Sequence, residues 1–167
     1  EDDFLINTNL IENKITSKTK AIIPVNLYGQ SANYDAIKKI AKKHNLKVIE
    51  DCAQSAGTMY KNKPSGSYGD LAAFSFYPTK NLGGYGDGGM IVTNKKNFYE
   101  KSKKLRKYGM TKLYYSEEHG INSRLDEIQA AILNFQLKKL KSNINKRRKI
   151  AKIYNENLKT KDLILPI

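Results

Sequence analysis

The stretch FSFYPTKNLGGYGDGG, residues 74–89, sets a single lysine, Lys80, between a short apolar run and a loop of glycines. A lysine amine is a nucleophile only when uncharged, which takes partial removal from water or a neighbouring cation. In that state it can form a Schiff base with a carbonyl compound. A second group, Asp51, follows the apolar run KVIE at residues 47–50. An acid so placed can hold a proton on a heteroaromatic nitrogen and make a bound ring a better electron sink. Each residue also has a plainer use. An aspartate after a strand caps a turn, and a lysine before glycines is ordinarily solvated. Position alone leaves both uses open.

The glycines raise a separate possibility, because Gly84, Gly86 and Gly89 match G-x-G-x-x-G. A dinucleotide fingerprint must follow a strand and open a helix, whereas here another strand-like run, MIVTN, comes next. No GxxxxGK[ST] loop is present either. The glycines are expected instead to permit positive φ and a close approach of backbone to a ligand or a second subunit.

Lys80 and Asp51 matter only if the chain brings them to one place. Residues 20–28, KAIIPVNLY, read as a strand closed by Gly29. The next segment places Ile37, Ile40 and Ala41 at helical spacing, and KVIEDCA, residues 47–53, reads as a second strand. Strand, helix and strand make a βαβ unit, which predicts parallel strands and a right-handed crossover. LAAFSF (71–76) and MIVTN (90–94) read as further strands, with a helix over 95–107. In open α/β sheets ligands bind beyond the carboxyl ends of strands, where Asp51 and Lys80 both fall. The last third reads as helix. Ser123 and Asp126 have capping-box spacing, and Leu125, Ile128, Ile132 and Phe135 recur at three and four. Leu140, Ile144, Ala151, Tyr154 and Leu158 extend the pattern, as one very long helix or two joined near residues 143–145. An apolar strand starts at ILPI, residues 164–167.

Composition narrows the classes. With 167 residues and 40% hydrophobic content the chain can build one core. Lys+Arg of 30 against Asp+Glu of 16 gives +14, which raises nucleic acid or an anionic membrane as partners. The basic residues, however, are spread over KKIAKKHNLK, KSKKLRK and KKLKSNINKRRK, along the polar faces of helices. One cysteine, Cys52, excludes an internal disulfide, and two distant histidines, His44 and His119, offer no metal-ligand spacing. Cys52 is expected to pack as a small hydrophobe. No apolar run approaches ~18 residues, so neither membrane nor metal is expected, and the expected location is the cytoplasm.

Three segments, EDCAQSAG (50–57), FSFYPTKNLGGYGDGG (74–89) and NSRLDEIQAAIL (122–133), resemble the DegT/DnrJ/EryC1/StrS family of nucleotide-sugar aminotransferases. TKAIIPVNLYGQ (19–30) and RRKIAKIYNENL (147–158) fit the same family in the same order, so the resemblance covers nearly the whole chain. It implies an aspartate-aminotransferase-like fold of type I: an α/β large-domain segment with a mainly parallel sheet, then long helices. Residues 1–122 would belong to the cofactor-binding large domain, and 123–167 would lead into a C-terminal small domain. The implied cofactor is pyridoxal 5'-phosphate. Lys80 matches the lysine that joins it as a Schiff base, and Asp51 the acid paired with the pyridine nitrogen. Gln54 matches a residue beside the ring near the phenolic oxygen, and Ser75 a hydroxyl that binds the phosphate. Asn122 matches an asparagine reaching the phosphate from the neighbouring subunit, which implies a homodimer with shared sites. Alternatively, Asn122 merely precedes the Ser123 cap. Arg124 is expected as a structural ion-pair partner.

The resemblance further implies ping-pong transamination, from an amino donor such as L-glutamate to a keto sugar carried on a nucleotide. Related dehydratases replace the lysine by histidine, so the presence of Lys80 favours transamination. Tyr77, where many members carry histidine, and Asp87, where carbon-4 enzymes more often carry glutamate, point to a 3-keto-6-deoxy sugar. Deoxythymidine diphosphate is the family's usual carrier, and surface-glycan or lipopolysaccharide synthesis the usual destination. Family members run to roughly twice this length, lacking here a front segment with a phosphate-binding turn and most of the small domain. The chain therefore reads as a fragment, expected to hold the cofactor weakly and to be inactive by itself. Two other readings compete: an inert truncated copy acting as a dimerisation or binding module, and a basic nucleic-acid-binding domain.

Overall fold

In chain order the elements are β1 (Ala21–Ile22), α1 (Tyr34–Lys43), β2 (Lys47–Asp51), β3 (Met59–Tyr60), β4 (Lys63–Pro64), β5 (Leu71–Ser75), β6 (Gly89–Val92), α2 (Lys96–Leu105), β7 (Met110–Lys112), β8 (Tyr115–Ser116) and α3 (Glu127–Asn157). The computed structural model describes residues 3–158 together with 160, 163 and 165. The strand expected at 164–167 lies almost wholly outside them. Four strands form the main sheet in the order β1-β2-β5-β6. β1 and β5 flank β2 in parallel, with Ile22 opposite Val48 and Asp51 opposite Ala73. β6 closes the sheet antiparallel to β5, with Ser75 opposite Gly89. The βαβ reading holds for β1, α1 and β2.

β1 is shorter than its apolar run because Pro24 has no N–H to give the ladder. Pairing resumes only as a bridge between Val25 and Asp51. The chain then turns through Leu27–Gly29, with Tyr28 at φ 56. α1 starts where Asn33 accepts from the Ala36 amide at 3.2 Å, and Asp35 and Lys42–Lys43 suit the two ends of its dipole. Its Ile37 and Ala41 bury against Ile22 and Val48, with Ile11 and Tyr34 completing the core. His44 ends α1, with Nε2 2.6 Å from Glu12 Oε1.

Side chains alternate across a pleated sheet, so the register fixes which residues share a face. Val48, Glu50, Ala72 and Phe74 point to one face, where the first three are buried. Asp51, Ala73 and Ser75 point to the other, together with Val25 and Ile91. That second face is open: Ile91 is 59% exposed and Val25 39%.

The last third is a single helix, α3, of 31 residues. Two expectations about it are corrected. Its N-cap is Asp126, without a side-chain cap bond, and not Ser123. Ser123 is occupied elsewhere: its amide donates to the Arg106 carbonyl at 3.0 Å, and its carbonyl accepts from Arg106 Nε at 2.9 Å. The inward stripe is also phased differently. Ile128 and Phe135 are exposed, whereas Leu125, Gln129, Leu133, Leu140 and Ile144 face the body. Among the described residues no helix is long and apolar enough to cross a membrane.

Candidate active site

Asp51 and Ser75 end two adjacent parallel strands on the same open face. Their Cα atoms lie roughly 8 Å apart by strand spacing and rise. Between them is Ala73, exposed and carrying only a methyl group. Asp51 spends Oδ1 on the Ala53 amide at 3.0 Å, and Oδ2 has no hydrogen-bond partner among the described residues. Its backbone is pinned on both sides, with N donating to the Pro24 carbonyl and O accepting from the Asn26 amide, each at 3.0 Å. Ser75 Oγ only accepts, from the Tyr77 amide at 3.3 Å, which leaves its hydroxyl proton to donate.

Lys80 sits in the connection between β5 and β6. The base of this loop is closed by backbone bonds, Phe76 N to Gly88 O and Gly84 N to Phe76 O, both 2.8 Å. The Lys80 amide donates to the Tyr77 carbonyl at 2.9 Å. Its amine makes no ion pair or hydrogen bond among the described residues, although the residue is half-buried. Leu82 anchors the loop by burying against Phe76 and Leu133. The glycines behave otherwise than expected. None in 83–89 has positive φ, and what approaches them closely is the chain itself: backbone of residues 74–78 at Gly83 and Gly89, Leu125 at Gly88, and Gln129 of α3 at Gly84 and Gly86. A Cβ on Gly84 would lie 2.8 Å from Gln129 Oε1, and one on Gly88 would lie 2.9 Å from Leu125.

Beyond Asp51 the chain makes a turn that carries Gln54. Gln54 Oε1 accepts from the Tyr28 amide at 2.9 Å and so holds Tyr28 in its left-handed conformation. Its amide nitrogen is left to act outward. Beneath the turn lies a buried polar cluster. Asn26 accepts from the Ala32 amide and the Tyr34 hydroxyl, both at 3.0 Å, and donates to Ser65 Oγ at 3.1 Å. Ser65 Oγ is 2.6 Å from Ser55 Oγ and 3.1 Å from Cys52 Sγ. Cys52 is therefore buried among polar groups, and burial pushes its thiol pKa up. Glu50, fully buried, accepts from the amides of Gly66, Tyr68 and Gly69 at 2.8, 2.5 and 2.6 Å. This carboxylate fastens the loop that feeds β5, so the positions of Asp51 and Ser75 are set from one buried group.

Asn122 stands apart. The Ile121 amide donates to Leu105 O at 2.9 Å and the Ser123 amide to Arg106 O at 3.0 Å, strapping the segment to the end of α2. Asn122 itself is exposed, with Oδ1 accepting from Arg124 Nε at 2.9 Å. Arg124 thus steadies Asn122 instead of forming the expected ion pair. Both line a hollow of about 470 Å³ with Leu125, Asp126 and Glu127. No hydrogen bond among the described residues joins Asn122 to Asp51, Ser75 or Lys80. Sequence reasoning missed Asn26, Glu50 and Gln129. Only Gln129 left a signal, lying four residues from both Leu125 and Leu133.

Known proteins match this arrangement along its length. The chain is 54% identical over 156 residues to dTDP-3-amino-3,6-dideoxy-alpha-D-galactopyranose transaminase of Aneurinibacillus thermoaerophilus, covering 93% of this chain and 43% of that one. The structure superposes on S. venezuelae DesV in complex with a ketimine intermediate with a TM-score of 0.90 at 43% identity, over 95% of this chain and 43% of the other. It superposes on NtdA from Bacillus subtilis with bound cofactor PMP with a TM-score of 0.85 at 35% identity, over 92% of this chain and 35% of the other. The chain thus spans less than half the length of these relatives. The model of the DegT/DnrJ/EryC1/StrS aminotransferase family matches residues 1–167, and the chain belongs to that family.

Proposed function

We propose that these residues form the lysine-bearing part of a pyridoxal-phosphate-dependent aminotransferase. Its substrate is a nucleotide-linked 3-keto-6-deoxy sugar, carried on deoxythymidine diphosphate, and its amino donor is L-glutamate. Residues 1–122 belong to the cofactor-binding domain, and α3 leads towards a second, smaller domain. The observation that carries the reading is the open face of Asp51, Ala73 and Ser75, whose strand β5 runs on into the loop that carries a half-buried lysine with no amine partner among the described residues.

The residues fit the cofactor by the chemistry they leave unsatisfied. Among the described residues, Asp51 Oδ2 is left as an acceptor for a protonated ring nitrogen, Ser75 Oγ as a donor for a phosphate oxygen, and Lys80 Nζ without an ion pair or hydrogen bond. Gln54 presents its amide N–H beside the ring, and Ala73 is small enough to let a flat ring lie against the sheet. The cofactor, when bound, supplies the electron sink for carbon–hydrogen bond cleavage. Asp51 would hold the proton on the ring nitrogen, and Lys80 Nζ would take and return the proton at the substrate carbon. Asn122, which makes no hydrogen bond to Asp51, Ser75 or Lys80 among the described residues, would serve the phosphate of a neighbouring subunit, which makes the working unit a homodimer. The carbon-3 assignment is supported by Tyr77 and Asp87 and by the activity for which the Aneurinibacillus relative is named.

The test is an absorption spectrum of the complete chain that carries these residues, with pyridoxal phosphate, before and after borohydride, followed by peptide mapping. We expect a band that reduction fixes on Lys80 and that Lys80→Ala lacks. A reduced label on another lysine, or an unchanged spectrum in Lys80→Ala, overturns the proposal.

A further inference from the structure

Gln129 is a polar residue within an otherwise apolar inward stripe of α3, one turn from Leu125 and one turn from Leu133. Its Oε1 accepts from the Tyr85 amide at 2.7 Å, across 44 residues of sequence. The same amide group lies against two glycines: a Cβ on Gly84 would come within 2.8 Å of Oε1, and one on Gly86 within 3.1 Å of Nε2. Gly84 in turn donates its amide to Phe76 O, the bond that closes the loop holding Lys80. Leu82, two residues beyond Lys80, is buried against Leu133 of the same helix face. The start of α3 and the residue before its cap therefore grip the lysine loop at three points, apolar at Leu125 and Leu133 and polar at Gln129.

From this geometry we infer that Gln129 is a positioning residue for Lys80, fixing the glycine segment so that the amine meets the shelf of Asp51 and Ser75 in one orientation. The inference rests on the reading of Lys80 as the cofactor lysine. It also accounts for Gly84, where any side chain displaces the Gln129 amide, and for Gly86, where a Cβ would crowd Gln129 Nε2 at 3.1 Å. Gly84 is not in the left-handed region, so an alanine at this position meets only the end of a flexible side chain.

The test uses the complete chain and pyridoxal phosphate as the probe, with Gln129→Leu, Gln129→Glu, Gly84→Ala and the double variant Gln129→Leu/Gly84→Ala. Three quantities are read: cofactor affinity, the pH midpoint of the absorbance band linked to Lys80, and hydrogen exchange over residues 76–86 in the cofactor-free protein. Loss of one hydrogen bond predicts about 3–10-fold weaker cofactor binding in Gln129→Leu, with a displaced pH midpoint and faster exchange. Gln129→Glu keeps an acceptor for Tyr85 and is expected within about twofold of wild type. Gly84→Ala should match Gln129→Leu, and the double variant should be no worse than either, the mark of two residues acting through one contact. Wild-type affinity and pH midpoint in a folded Gln129→Leu overturn the inference, as do additive losses in the double variant. If Gln129→Leu does not fold, Gly84→Ala alone decides by the same readings. Retention of the borohydride-fixed label in Lys80→Ala would instead defeat the reading of Lys80, whatever Gln129 does.

Discussion

Asp70 and Val48 clasp the start of β5 to β2 in both directions. The Asp70 amide donates to Val48 O at 2.7 Å, and the Val48 amide donates to Asp70 Oδ2 at 2.8 Å. Lys95 reaches the other carboxylate oxygen. Burial pulls this carboxyl upward in pKa, but Lys95 and the Val48 amide outweigh it and hold the group below the usual aspartate range. A depressed folded pKa gives stability that is complete above the unfolded value, about 4, and is lost as pH falls through the folded one. Urea unfolding followed from pH 6 to pH 2 should therefore lose part of its acid dependence in Asp70→Asn, which keeps an acceptor for Val48 but no charge. An acid limb identical to wild type would show that Asp70 contributes nothing to it. At Ser75 the hydroxyl proton is unspent, so Ser75→Ala should leave the unfolding midpoint nearly unchanged. It should weaken pyridoxal phosphate by about 1.5–3 kcal/mol, the range for a hydrogen bond to a charged group. An absorbance titration reads this directly, and equal affinity in the variant would remove Ser75 from the phosphate site.

Among the elements, the segment after α2 depends on glycines that touch backbone. A Cβ at Gly120 would collide with the Gly109 nitrogen and the Leu105 carbonyl, neither of which can swing aside. Gly120→Ala should thus break the straps at Ile121 and Ser123 and cost about 2 kcal/mol or more, read as a lower thermal midpoint. A variant as stable as wild type would mean that the strap relaxes freely. Asn122 and Arg124, on the same segment, should then lose their fixed display. Much of the framework was legible beforehand, because β2, β5 and α1 carry clear local signals: short apolar runs for the two strands and a helical period at Ile37, Ile40 and Ala41. The phase of α3 was not. Counting only apolar residues selected Ile128 and Phe135, whereas the helix turns Gln129 inward to satisfy the Tyr85 amide. Ser123 misled for a similar reason, since its backbone is committed to Arg106 before the helix can use it. Asp51 and Lys80 were singled out from strand ends and Ser75 from the family resemblance, but Glu50 and Asn26 were not singled out at all. A polar residue inside a strand or turn shows its purpose only when the amides it receives, from residues far along the chain, are in view.

Across the whole molecule, two properties pull against each other. The chain carries +14 in formal charge, while the sheet face that holds Asp51 and Ser75 also leaves Ile23 57% and Ile91 59% exposed. In dilute buffer, like charge keeps copies of this 167-residue unit apart, despite the apolar area each presents. Salt shortens the reach of that repulsion to about 10 Å at 0.1 M, and a kosmotropic anion such as sulfate strengthens apolar association at the same time. Both changes act in one direction. The second virial coefficient of residues 1–167, measured by static light scattering, should fall through zero as ammonium sulfate is added, and Ile23→Lys/Ile91→Lys should move that crossing to higher salt. A coefficient indifferent to the two substitutions would mean that the stickiness resides elsewhere. The open shelf is thus also a colloidal liability: the face that leaves room for a flat ring is the one by which copies of the unit would first adhere to one another.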